Sequence, residues 1–66
     1  MNLFDSIIEA QNWAQKQANE TNNDHVVFCR NTTRRPVAIV LPDNADNTQQ
    51  APLLWPQHWA TIRPEK

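Results

Sequence analysis

The first part of the chain, residues 2–20, carries apolar side chains at three- and four-residue steps, which is the spacing of an amphipathic helix. Asn2 is suited to begin this helix as its N-cap, and residues 21–24 are suited to end it with an asparagine in the left-handed conformation. The apolar stripe consists of Leu3, Phe4, Ile7, Ala10, Ala14 and Ala18. Because its later members are alanines, a sheet can approach closely but gains little buried area. Trp13 points away from the stripe and needs cover from another segment.

Two short apolar segments follow, at residues 25–30 and 36–41, and predict an antiparallel hairpin spanning residues 25–41. Its tip is expected near residues 31–35. Both faces of the hairpin are largely apolar, and the sequence contains no convincing third strand. The helix can cover one face, so the other face and both sheet edges are expected to need the C-terminal tail or another subunit.

The last third of the chain is polar at first and then rich in tryptophan and proline. Residues 42–50 have no apolar period and predict a mobile surface loop. Residues 51–63 form a Trp-rich tail in which Pro52 and Pro56 are expected to prevent a continuous helix. Either a short helical turn from Pro56 or an extended segment laid across the sheet would place Trp55 and Trp59 on one face.

These elements predict a single small α+β domain over residues 1–66, with one helix packed on a hairpin and the tail folding back. A chain of 66 residues buries only about 60% of its unfolded surface. The single cysteine, Cys29, cannot form an intramolecular disulfide. We therefore expect association to add stability, most simply as a homodimer.

The sequence argues against an enzyme. It contains no glycine, so it cannot form the glycine-rich loops that bind phosphates or dinucleotides. His25 and Cys29 are about 13 Å apart on a strand, too far for a nucleophile and its base, and Cys29 is expected to be buried and inert. Asp43 and Asp46 lie in a polar segment that does not fix their separation. Without close pairs of ligands, we expect no catalytic residue, no metal and no cofactor.

The N-terminal segment, residues 1–5, lacks the basic and apolar regions of a secretory signal. No apolar run approaches the roughly 20 residues that span a bilayer. We therefore expect a cytoplasmic protein that does not bind a membrane.

Charge is unevenly distributed, although the net charge is −1. Residues 1–24 contain four acids against one lysine, whereas residues 25–42 contain three arginines and no acid. The two groups can simply complement each other within the fold. The arginines and the three tryptophans are also the candidate partner-binding residues: Arg30, Arg34, Arg35, Trp13, Trp55 and Trp59. Tryptophan is enriched among residues that dominate binding energy, but the tail can equally bury these rings in a second core.

The first functional hypothesis is a non-enzymatic interaction protein that binds and occludes a protein partner of unknown identity. Small, motif-free chains rich in asparagine and glutamine are common among accessory proteins of phages and mobile elements, including inhibitors of host defence systems. The alternative is a small nucleic-acid-binding regulator that uses Arg34 and Arg35 at the hairpin tip, with weak and salt-sensitive binding. A subunit that acts only within a larger complex is a third possibility.

Overall fold

An antiparallel sheet of four strands lies between two helices in the computed structural model, which describes residues 2–65. The elements, in chain order, are β1 (Leu3–Phe4), α1 (Ile7–Thr21), β2 (His25–Cys29), β3 (Ala38–Pro42), α2 (Ala45–Leu54) and β4 (Gln57–Ile62). The strand order is β1-β3-β2-β4, and every neighbouring pair is antiparallel. The predicted α+β class is therefore confirmed.

The central strand β2 is buried along its whole length because each of its faces has its own cover. Val27 and Cys29 belong to an apolar cluster with alanines of α1. Val26 and Phe28 belong to a second cluster on the opposite face, with Trp55 after the end of α2. The second face, which was expected to need the C-terminal tail or another subunit, is thus covered largely within the chain.

Helix α1 packs closely on the sheet through its small residues. Ala10, Ala14 and Ala18 are each 0% exposed, as the predicted stripe requires. The helix ends at Asn22, which has φ 57° and ψ 33°. Asparagine tolerates this left-handed conformation better than most residues, so it ends the helix in a chain without glycine.

The predicted start of this helix was wrong, since α1 begins at Ile7 and not at residue 2. The Ser6 hydroxyl accepts a hydrogen bond from the Glu9 amide at 3.1 Å, which makes Ser6 the N-cap in place of Asn2. Leu3 and Phe4 instead form β1 and pair with β3. This pairing gives hydrogen-bond partners to the backbone of β1. The spacing of apolar residues does not reveal the pairing, because β3 is distant in the sequence.

The predicted polar loop at residues 42–50 is largely helical, because α2 spans Ala45–Leu54. Its N-cap is Asn44, whose side-chain oxygen accepts from the Asn47 amide at 2.9 Å. Pro52 lies inside α2, contrary to the expectation that it would interrupt a helix. It lies in the last turn, where the missing N–H removes only one bond of a helix that is capped and packed on the sheet.

The tail after α2 is neither a helical turn nor a segment laid across the sheet. Residues 57–62 form β4, which pairs with β2 at one edge of the sheet. The register shifts between Val27 and Phe28, so that Trp59 is an extra residue in a β-bulge. The sheet therefore has two strands that were not predicted, β1 and β4, one on each side of the central β2–β3 pair.

No helix within residues 2–65 is long and apolar enough to cross a membrane.

Candidate functional site

Helix α2 leaves part of its sheet face uncovered, and an apolar groove with a volume of about 250 Å³ lies between α2 and β3. The lining residues are Ile39, Leu41, Asn47, Gln50, Ala51, Leu54 and Trp55. Ile39 and Leu41 are half-buried and contribute from the sheet, whereas Leu54 is 73% exposed on the helix. The groove is therefore largely apolar, with the side-chain amides of Asn47 and Gln50 adding polar groups.

At the C-terminal end of α2, Arg30 covers Trp55. The guanidinium carbon of Arg30 lies 4.6 Å from the centroid of the Trp55 ring, in cation–π geometry. The Arg30 Nε also donates to the Pro36 carbonyl at 3.0 Å, which fixes the guanidinium from a second direction. Trp55 is only 7% exposed as a result of this cover and of its packing on β2.

The other two predicted arginines, Arg34 and Arg35, are exposed in the loop of residues 30–37. The base of this loop is closed by the Arg30 amide, which donates to the Val37 carbonyl at 3.1 Å. Within the loop, the Arg34 amide donates to the Thr32 hydroxyl at 3.0 Å. Arg30 is therefore held against the folded domain, whereas Arg34 and Arg35 extend into solvent.

Trp13 lies on the opposite side of the sheet from the groove. It is half-buried beside the cluster of α1, and its ring is 6.1 Å from that of Phe4 at an interplanar angle of 45°. Residue Phe4 of β1 thus supplies part of the cover that Trp13 was expected to need. The Trp13 Nε1 atom is buried and has no hydrogen-bond partner within the described part of the chain.

Trp59 is 50% exposed at the bulge of β4, whereas Trp55 is buried. The expectation that these two rings share one face is wrong, because Trp55 ends α2 and the bulge changes the alternation of β4. The six predicted partner-binding residues therefore do not form one surface. The structure brings only Arg30 and Trp55 into the contact described above.

Sequence reasoning did not single out Leu53 and Leu54 as binding residues. Both lie in the last turn of α2 and are 81% and 73% exposed. Their exposure has no local sequence signal, because adjacent apolar residues can share the core-facing stripe of an amphipathic helix.

The cysteine and the two histidines do not line the groove. Burial raises the pKa of the Cys29 thiol, whose Sγ donates to Gln57 Oε1 at 3.4 Å. His25 is buried and its Nδ1 lies 3.0 Å from the Asn23 carbonyl. His58 packs edge-on against Phe28. Within residues 2–65, no three His, Cys, Asp or Glu side chains are grouped in a way that could hold a metal ion.

A larger recess of about 510 Å³ lies at the end of the sheet near the start of α2. It is lined by Asn22, Asn23, Asp24, Pro42, Asp43 and Asn44. The Asp43 amide donates to the Asp24 carbonyl at 3.0 Å, so this recess is a junction between the ends of β2 and β3. Because its lining is mainly polar and includes only two carboxylates, we regard the smaller apolar groove as the better candidate site.

No protein family, curated protein or solved structure matches the chain.

Proposed function

We propose that this chain is a non-enzymatic interaction protein that binds and occludes another protein through the C-terminal end of α2 and the adjoining groove. The observation that carries the proposal is the exposure of large apolar side chains. Three of the four exposed ones described lie within residues 53–59, namely Leu53, Leu54 and Trp59, at 81%, 73% and 50%. Leu53 and Leu54 end the helix that forms one wall of the groove, and exposed apolar side chains beside a groove are typical of protein-binding surfaces.

The binding energy available from this surface is substantial for so small a domain. Full burial of a leucine side chain is worth about 1.5–3 kcal/mol, and tryptophan is among the residues that dominate interfaces. Leu53 and Leu54 contribute little to the stability of the chain because they remain in water. Most of their burial energy is therefore available to a partner.

The experiment compares the wild-type chain with a triple variant, Leu53→Ser, Leu54→Ser and Trp59→Ser, as baits in cells of the native host. A protein captured by the wild type is then purified and titrated calorimetrically against each form. We expect the triple variant to bind this protein at least about tenfold more weakly while the melting temperature changes little, because all three positions are exposed.

The matched control is Ile8→Ser, which removes a side chain that is 71% exposed on α1, outside the proposed surface. Ile8→Ser should bind the partner like the wild type. The proposal is contradicted if the triple variant binds the partner as tightly as the wild type does. It is also contradicted if none of the captured proteins binds the wild type once it is purified.

Nucleic acid is the second candidate, and the exposure of Arg34 and Arg35 in the loop of residues 30–37 favours it. A titration of duplex DNA against salt tests it, because neutralised phosphates give a steep dependence of affinity on salt. Arg34→Glu with Arg35→Glu should abolish such binding. A salt-independent or undetectable interaction with the wild type removes this candidate.

A homodimer is a further proposal, and its support lies at the outer edge of β4. The backbone groups of even-numbered residues along β2 form hydrogen bonds with β3, as the Arg30–Val37 and Asp24–Asp43 bonds at its two ends indicate. Odd positions therefore bond to β4, and the backbone of Thr61 points away from the sheet. Residues 57–62 also carry no charge, although edge strands are commonly protected by charged side chains.

Thr61→Pro tests the dimer because it removes an outward N–H without removing a bond to β2. Sedimentation equilibrium should show a wild-type dimer that this variant dissociates. A wild-type chain that stays monomeric at every concentration contradicts this proposal.

A cytoplasmic location and an accessory role in a phage or mobile element are also proposals. The accessory role is supported by the high content of asparagine and glutamine. The cytoplasmic location is supported by Cys29, which is buried as a free thiol.

A further inference from the structure

Trp55 connects the apolar groove to a positive charge, since its ring lines the groove and also carries the Arg30 guanidinium. We infer that the groove and Arg30 form one two-part site for a protein segment in which a large apolar side chain stands next to a carboxylate. This inference rests on the proposed function and specifies the chemistry of the partner.

The apolar part of the site has the size of a side chain. Cavities that hold drug-sized molecules or cofactors measure about 300–1,000 Å³, whereas the groove measures about 250 Å³. Its sheet side is formed by Ile39 and Leu41, which are already half-buried. A leucine or aromatic side chain inserted here gains apolar contacts on both the sheet and the helix.

The polar part of the site is a guanidinium that is already oriented. Arg30 loses little additional freedom on binding because Trp55 and the Pro36 carbonyl hold it. The bond to Pro36 uses Nε, so the N–H groups on the two terminal nitrogens are not needed for this contact. These groups form a planar fork that matches a carboxylate in a bidentate pair.

The charges around the site favour a short acidic peptide over a nucleic acid. Residues 25–42 carry three arginines and no acid, and the acid of α2, Asp46, lies in the first turn, at the end opposite Trp55. The four acids of residues 1–24 repel a long polyanion, whereas a single carboxylate can bind beside Arg30 without approaching them. A nucleic acid also has no aliphatic side chain for the groove.

The test is a selection of peptides from a random display library on the immobilised full-length chain, followed by calorimetric titration of the selected peptides. We expect these peptides to share an acidic residue next to a large apolar one. Replacing that acid by its amide, or making Arg30→Gln in the protein, should weaken binding by about tenfold or more.

Leu54→Asp is a second variant that keeps the test independent of folding, because Leu54 is 73% exposed. It places a carboxylate at the groove and should also weaken binding by about tenfold. The matched controls are Ile8→Asp, which adds the same charge at an exposed apolar position on α1, and Arg63→Gln, which removes an exposed arginine elsewhere. Both controls should bind the peptides like the wild type.

Selection of no peptides, of peptides without an acid, or of peptides that bind Arg30→Gln and Leu54→Asp unchanged overturns the inference. So does binding of duplex DNA that depends on Arg30 while peptides do not bind. A natural partner that is lost with the triple variant of residues 53, 54 and 59 but binds Arg30→Gln normally would leave the proposed function intact and reject this site.

Discussion

The guanidinium of Arg30 lies over the indole ring of Trp55, with its central carbon 4.6 Å from the ring centroid. Arg30 directly follows β2, and Trp55 is the C-cap of α2. The contact therefore joins the end of the central strand to the end of the second helix. It stabilises the position of α2 and also places a charge beside the groove.

The contact leads to a prediction for stability. Arg30→Gln should lower the free energy of unfolding by about 1–2 kcal/mol, because it removes a partly desolvated cation–π contact and weakens the bond to the Pro36 carbonyl. Urea unfolding followed by circular dichroism measures this change. Arg34→Gln, in exposed loop, should change stability by less than about 0.5 kcal/mol. Equal stability of the two variants would show that the Arg30–Trp55 contact contributes nothing to the fold.

The alanines of α1 lead to a second prediction, since Ala14 is 0% exposed against the sheet. Ala14→Leu should destabilise the protein by about 1–3 kcal/mol, because the added carbons force the helix away from the sheet. Ala45→Leu makes the same addition at an exposed position, on α2, and should change stability by less than about 0.5 kcal/mol. Thermal unfolding distinguishes them, and an unchanged melting point for Ala14→Leu would be inconsistent with close packing.

The start of α1 can be tested with a pair of cap variants. Ser6→Ala should cost about 1 kcal/mol, because it removes the acceptor for the Glu9 amide. Asn2→Ala should cost less than about 0.5 kcal/mol, since Asn2 uses its backbone carbonyl to accept from Val40, which alanine retains. Chemical denaturation gives both values. The opposite order would mean that the helix begins at Asn2.

These cap positions show how much of the fold the sequence determines on its own. The alanine stripe and the asparagine C-cap were predictable because both depend on local geometry. Strand β1 was not, since Leu3 and Phe4 also fit the helical stripe and only their pairing with β3 distinguishes the two structures. A strand of two residues is too short to show the alternation of apolar and polar residues by which strands are recognised.

The C-terminal elements were hidden for a different reason. Helix α2 begins with polar residues, and its packing on the sheet depends on Ala51 and on Trp55. In β4, the bulge at Trp59 breaks the alternation by which a strand is recognised. The contact of Arg30 with Trp55 has no sequence signal, because the two residues are distant in the chain and meet only when α2 packs on the sheet.

The buried thiol predicts a dependence of stability on pH. Burial raises the pKa of Cys29 in the folded state, so the unfolded chain releases this proton at a lower pH. The stabilising contribution is therefore fully present below the unfolded pKa, near 8.5, and is lost as the pH rises through the folded pKa. Between about pH 8 and pH 10, the urea midpoint of the wild type should fall more steeply than that of Cys29→Ala. Parallel curves would mean that the thiol is exposed to solvent when folded.

The most direct test of the proposed function is cross-saturation NMR on the isotopically labelled chain in complex with the captured natural partner, because it identifies the protons that lie against that partner. We predict strong saturation transfer to Leu53, Leu54 and Trp59 and to the Arg30 side chain, and little to Ile8 or to the rest of α1. Transfer centred on α1, with the end of α2 and its groove unaffected, would contradict the account.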